Sequence, residues 1–95
     1  PQTDGQLVRI PVPELNEERR QELIKIAGKY AEQSRVSIRN IRRDGMDSIK
    51  SMEKNSEIGK DESVSLSSTV QDLTDDHIKK IDQTLLNKEQ EIKQV

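Results

Sequence analysis

Apolar and small residues recur every three or four positions over most of this chain. Between residues 16 and 52 the column runs Ile24, Ala27, Ala31, Ser34, Ile38, Ile41, Gly45, Ile49 and Met52. That spacing lines one face of a helix. Asn16 is a good N-cap ahead of it, Glu17 and Glu18 suit the first turn, and Leu15 is placed as a hydrophobic staple. No proline interrupts the chain after Pro13. A helix over 16–52 would be about 55 Å long, and a helix of this kind needs a packing partner to be stable. Gly28 and Gly45 each weaken it by about 1 kcal/mol relative to Ala. Gly45 sits on the stripe, so it marks either a close helix approach or a weak point.

Residues 53–63 (EKNSEIGKDES) carry loop signals. A second helix is predicted over about 60–94, with a column of Leu66, Val70, Leu73, His77 or Ile78, Ile81, Leu85, Ile92 and Val95. The 3–4 spacing has coiled-coil character, with a polar gap at Lys88. The Ser-rich run 63–69 is a poor helix former and predicts frayed first turns. Ahead of both helices, residues 1–6 read as loop. Residues 7–10 read as the end of a strand, with Val8 and Ile10 alternating around Arg9. Pro11 and Pro13 then make a stiff connector, because each fixes its own backbone and biases its predecessor toward extended geometry. The expected fold is all-α, a long antiparallel helical hairpin. Two narrow stripes with so few large residues make a thin core. A third helix, or a second copy of the hairpin forming a four-helix bundle, should complete it.

Composition narrows this further. Only 29% of the 95 residues are hydrophobic, Tyr30 is the single aromatic, and 36% are charged. A broad globular core is excluded on those figures, leaving long amphipathic helix or disorder, and the scarcity of Gly and Pro favours helix. Cysteine is absent, so no disulfide framework or thiolate metal site is expected. No apolar run approaches a membrane span and no basic-then-apolar leader is visible, so the expected compartment is the cytosol. The chain opens on Pro1 rather than Met, as a processed product or a fragment would.

The net charge of −2 conceals a strong asymmetry. Residues 16–52 carry +3 and residues 53–95 carry −4. All seven arginines precede residue 44, and residues 35–43 hold four of them with no acid. Arginine suits bidentate phosphate recognition. The segment RVSIRNIRRD (35–44) places Arg35, Arg39 and Arg42 within about 60° on a helical wheel, beside the apolar stripe, with Arg43 further round. Such a row matches phosphates along a nucleic-acid backbone. No aromatics are interleaved, so shape and backbone recognition of structured RNA is favoured over base stacking. The row also suits an acidic protein face or, least well, an anionic membrane; a solvated helix face is the plain alternative.

Enzymatic constellations are nearly absent. His77 is the only histidine, no phosphate-binding glycine loop occurs, and no residues are spaced for a metal. His77 reads as a seam or surface residue. Asp75–Asp76 and Glu17–Glu18 read as helix-surface acids.

Two stretches resemble a known family. IPVPELNEERRQELIKIAGKYAEQSRVSIRNIRRDGMDSIK is similar to the C-terminal half of bacterial ribosome recycling factors, and VQDLTDDHIKKIDQTLLNKEQEI is similar to the last helix of that family. The likeness covers the chain from about Asp4. It implies a two-domain protein shaped like transfer RNA: a three-helix bundle and a small α/β domain inserted after the first helix. On that reading residues 1–15 hold a strand remnant and the interdomain hinge (Pro11, Pro13), 16–95 supply the second and third bundle helices, and the first helix is absent. The resemblance also implies a non-enzymatic bacterial cytoplasmic factor without a cofactor. It would bind ribosomal RNA of the large subunit and split the ribosome after termination together with elongation factor G, which hydrolyses the GTP. Arg39 and Arg42 would be the central RNA contacts, supported by Arg35 and Arg43.

Overall fold

The computed structural model describes residues 16–95. The strand remnant read at 7–10, the connector at Pro11 and Pro13, and Leu15 lie outside the described residues. Two helices follow in order, α1 (Glu17–Lys54) and α2 (Lys60–Lys93), joined by a short turn. The pairs Arg20–Val95, Arg35–Asp82, Arg42–Gln71 and Gly45–Val70 meet across them, so the numbering rises on one helix as it falls on the other. This is the antiparallel hairpin that the two stripes predict, drawn out to 75 × 25 × 16 Å.

The start of α1 follows the local sequence. Asn16 has extended backbone geometry, and its Oδ1 accepts the Arg19 N–H at 2.7 Å, satisfying one of the donors a helix start leaves open. Glu17 and Glu18 then sit against the positive end of the helix dipole. The helix ends two residues later than the periodicity suggested, and it does so by a specific turn. Ser56 has φ 61°, the Ser56 N–H reaches the Glu53 carbonyl at 3.0 Å, and the Glu57 N–H reaches the Met52 carbonyl at 2.8 Å. This pair of bonds is the Schellman arrangement, with serine where glycine is the usual occupant. Gly59 caps α2 through its backbone alone, with no side-chain bond.

The Ser-rich run 63–69, expected to fray, is helical throughout. Its small residues permit close packing near the turn, where Ser63 is buried and Ser67 half-buried. The Thr69 hydroxyl donates back to the Ser65 carbonyl at 3.1 Å and the Thr74 hydroxyl to the Val70 carbonyl at 2.8 Å, so these side chains satisfy themselves within the helix.

The seam between the helices departs from the predicted stripe by one column. On α1 it runs through Ala31, Arg35, Ile38, Arg42, Gly45, Ile49 and Met52, a strict alternation of four and three. Ser34 and Ile41, both read as stripe positions, are exposed; Ile41 keeps 70% of its surface. On α2 the seam passes through Thr74, Ile78, Ile81, Leu85 and Ile92, whereas Leu66, Leu73, His77 and Val95 stay exposed. Four of the residues left out, Ser34, Ile41, Leu73 and His77, line two adjoining hollows. Tyr30, Ser34, Ile38, His77 and Ile81 line a groove of about 440 Å³ between the helices. It meets a second hollow of about 290 Å³, lined by Ile41, Val70 and Leu73, at Ile38 and His77. The stripe read from sequence thus averages two faces: one column turned to the partner helix, one turned to an open groove, and Ala31, Ile38 and Gly45 shared by both.

Among the described residues only Ala31 and Ile49 are buried hydrophobics, and no large side chain is fully buried. The core is as thin as composition implied, because two of the α1 seam positions, Arg35 and Arg42, are arginines that meet polar residues of α2. Gly45 is also explained. A Cβ built there would meet Val70 Cγ1 at 3.8 Å, ordinary contact distance, so the helices do not require glycine at this point and it is a weak point.

Candidate nucleic-acid interface

The four candidate arginines lie on two turns of α1, yet the structure divides them. Arg35 and Arg42, seven residues apart, face α2; Arg39 and Arg43 face outward. The Arg35 side chain retains 19% of its surface, against 53% for Arg39 and 64% for Arg43, so only the latter two present their heads freely.

Arg35 is committed within the hairpin. Its Nε donates to Asp82 Oδ1 at 2.8 Å, and its Nη1 donates to Glu32 Oε1 at 3.0 Å. The hydrogen bond to Asp82, then that to Glu32, raises its pKa above the ordinary guanidinium value. Arg35 therefore stays charged while two carboxylates offset that charge. The expectation that Arg35, Arg39 and Arg42 project their heads together is corrected here. Residues 35–43 hold no acid, but Glu32 enters from one turn earlier and Asp82 from the opposite helix.

Arg39 lies 3.6 Å from Glu32, and Arg43 lies 3.6 Å from Asp44. Both contacts are long and solvated, and exposed pairs of this kind contribute little. Arg42 is different. Its Nε donates to Gln71 Oε1 at 2.8 Å, a neutral acceptor, and among the described residues it has no carboxylate within ion-pair distance. It is the one member of the row that is both held in place and left with its charge unoffset. The result is a cationic ridge along the middle of α1: Arg42 fixed at the seam edge, Arg39 and Arg43 beside it, and Arg35 about two turns from Arg42, held as a clamp. The sequence reading placed Arg35, Arg39 and Arg42 in one row, with Arg43 further round. It missed Gln71, because a glutamine on a second helix gives no signal until the two helices are brought together.

His77 is exposed, with Nδ1 2.8 Å from the Leu73 carbonyl of its own helix. Among the described residues no group of three or more His, Cys, Asp or Glu could hold a metal ion. No helix among them is long and apolar enough to cross a membrane.

Fold and ridge together define a class: an elongated helical-bundle element that presents arginine along one helix and leaves one interhelical groove open. The comparison with known proteins is more specific. The family model described as ribosome recycling factor matches residues 1–92. The ribosome-recycling factor of Rhodospirillum centenum is 60% identical over all 95 residues, which cover 51% of that protein. That of Bartonella bacilliformis is 62% identical over 95 residues, again 51% of its length. That of Rickettsia massiliae is 58% identical over 92 residues, 97% of this chain and 50% of that one. The chain belongs to the ribosome recycling factor family. It spans about half the length of the curated relatives it matches.

Proposed function

We propose that this chain serves in ribosome recycling after translation termination. Its α1 ridge binds ribosomal RNA of the large subunit, and it acts with elongation factor G to separate the subunits in the bacterial cytoplasm. Arg39 and Arg42 are the central RNA contacts. Arg43 adds to them, and Arg35 supports them from the hairpin side. Pro11 and Pro13 form a hinge between the bundle and a second domain. The chain performs no catalysis itself and needs no cofactor. The observation that carries the reading is Arg42: a half-buried, aligned guanidinium with no acid against it, flanked by two exposed arginines in a segment matched to this family. Arginine in that state suits a phosphate, because its planar fork is pre-organised and its charge is not already offset.

Co-sedimentation with large ribosomal subunits at low and high salt tests this. The parent chain is expected to pellet with the subunits and to lose binding as salt rises, since each phosphate contact releases counterions. An Arg39→Glu/Arg42→Glu variant of equal helicity by circular dichroism is expected not to pellet. Equal binding by both would remove the ridge from the function.

The open groove supports a second reading. Tyr30, Ile41 and Leu73 are large, exposed, and on the same side of the hairpin. In a three-helix bundle a further helix covers that side; in this chain alone a second hairpin can do so, giving a homodimer. Sedimentation velocity over a concentration series separates the cases. A dimer whose formation survives the double arginine substitution is the outcome that supports self-assembly, and a helical monomer at every concentration opposes it.

A further inference from the structure

We propose that Gln71, on the opposite helix from the arginine ridge, is a positioning residue for RNA binding: it holds Arg42 by its Nε and keeps the rest of that guanidinium pointed outward and uncancelled. The inference rests on the ridge being the RNA contact and adds a residue to it.

The geometry is a short relay across the hairpin. Gln71 Oε1 accepts from Arg42 Nε at 2.8 Å, while Gln71 Nε2 donates to Asp75 Oδ1 at 2.9 Å, one turn along α2. The amide is used at both ends, so its orientation is determined: the oxygen must face the arginine and the nitrogen the carboxylate. Only Nε of Arg42 is engaged. Its two terminal nitrogens, which carry four of the five N–H donors, have no side-chain partner among the described residues. An arginine held by Nε loses most of the freedom of its long stem before any ligand arrives, and pre-organisation of this kind lowers the entropy cost of binding.

The chemistry of the holder matters as much as its position. Arg35, the other arginine of the row that faces α2, is held by a carboxylate and its charge is offset. Gln71 does the same mechanical work with a neutral group and turns the nearest α2 acid in the relay, Asp75, onto its own amide nitrogen. A glutamate at this position would lose the donor to Asp75, offset the Arg42 charge and compete with phosphate for it.

The test compares the 95-residue parent with Gln71→Leu, Gln71→Glu, Arg42→Ala and the Gln71→Leu/Arg42→Ala double variant. Binding to large ribosomal subunits is measured across a salt series, with helicity and melting checked for each protein. Arg42→Ala is expected to weaken binding about ten-fold or more. Gln71→Leu is expected to weaken it about three- to ten-fold, the range one hydrogen bond supplies, and to add nothing in the Arg42→Ala background. Gln71→Glu, which keeps the shape and guards against a folding artefact in the leucine variant, is expected to weaken binding and lower the salt slope by about one. The arginine Nε–H signals of the unbound proteins give an independent readout. A slowly exchanging Arg42 Nε–H in the parent is expected to vanish in Gln71→Leu.

Parent-like binding by Gln71→Leu, with Arg42→Ala impaired, would overturn the assignment while leaving the ridge intact. So would a Gln71→Leu loss that persists undiminished without Arg42. A parent that does not bind, or an Arg42→Ala variant that binds as the parent does, would instead defeat the proposed RNA contact itself, and Gln71 with it.

Discussion

Arg35 and Arg42 occupy equivalent places on α1, one heptad apart and both turned to α2, yet the residue each meets gives it a different character. Asp82 offsets Arg35; Gln71 leaves Arg42 charged. Asp82→Asn removes an ion pair between the helices that is partly screened by solvent. The expected result is a small drop in melting temperature that disappears at high salt, because screening already weakens the pair in the parent. The same change leaves an amide oxygen to hold Arg35 and removes one of the two carboxylates that offset its charge, so it is expected to tighten polyanion binding. Thermal melts at two salt concentrations, together with the co-sedimentation assay, check both directions; a loss of binding would make Arg35 a contact that depends on its carboxylate.

Two local features of the helices run against intrinsic preference. Ser56 holds a left-handed backbone at the end of α1, which costs an L-residue with a side chain about 1 kcal/mol or more relative to glycine. Ser56→Gly is expected to stabilise the hairpin by about 0.5–1 kcal/mol, read as a rise in the urea midpoint without a change in slope. Gly45 is the reverse case: glycine in mid-helix where a Cβ fits. Gly45→Ala is expected to stabilise by a similar amount, since it recovers helix propensity and meets Val70 at normal contact distance. Destabilisation by Gly45→Ala would mean that the helices need to move closer in some state of the protein than they are here. The two sites differ in how readable they were. Gly45 was visible on the stripe but ambiguous, because spacing cannot say how near the opposite helix comes. The break at residues 53–63 was legible, but its left-handed residue was not, because serine is not the residue that usually marks it.

At the scale of the whole molecule, the hairpin is long, thin and one-sided. Its α2 side is closed by Ile38, Ile49, Ile78 and Ile81, while the groove side leaves Tyr30, Ile41, Leu73 and His77 exposed. An element with so much uncovered apolar surface normally meets another. Ile41→Lys places a charge in that groove without touching the α1–α2 seam, since Ile41 is 70% exposed. Helicity is expected to be unchanged and any dimer seen by sedimentation is expected to dissociate. A dimer that survives would have to use a different face.

The alternation of small and apolar residues was enough to give two long helices, a break near residues 53–59, an Asn16 cap and a core too thin to stand as a globule. Those features are local: helical period, capping chemistry and composition act along the chain before anything packs. The clustering of four arginines was equally open to reading, because a helix brings residues three, four and seven apart to one side. The tertiary structure decided which column of each stripe became the seam. The two columns on α1 share Ala31, Ile38, Gly45, Ile49 and Met52, and the seat of α2 selected Arg35 and Arg42 over the less polar pair Ser34 and Ile41. It also decided which arginine keeps its charge. Asp82 and Gln71 lie 47 and 29 residues from the arginines they hold, so no local rule connects them. They meet because two antiparallel helices fix one register, and that register sets a carboxylate against Arg35 and an amide against Arg42.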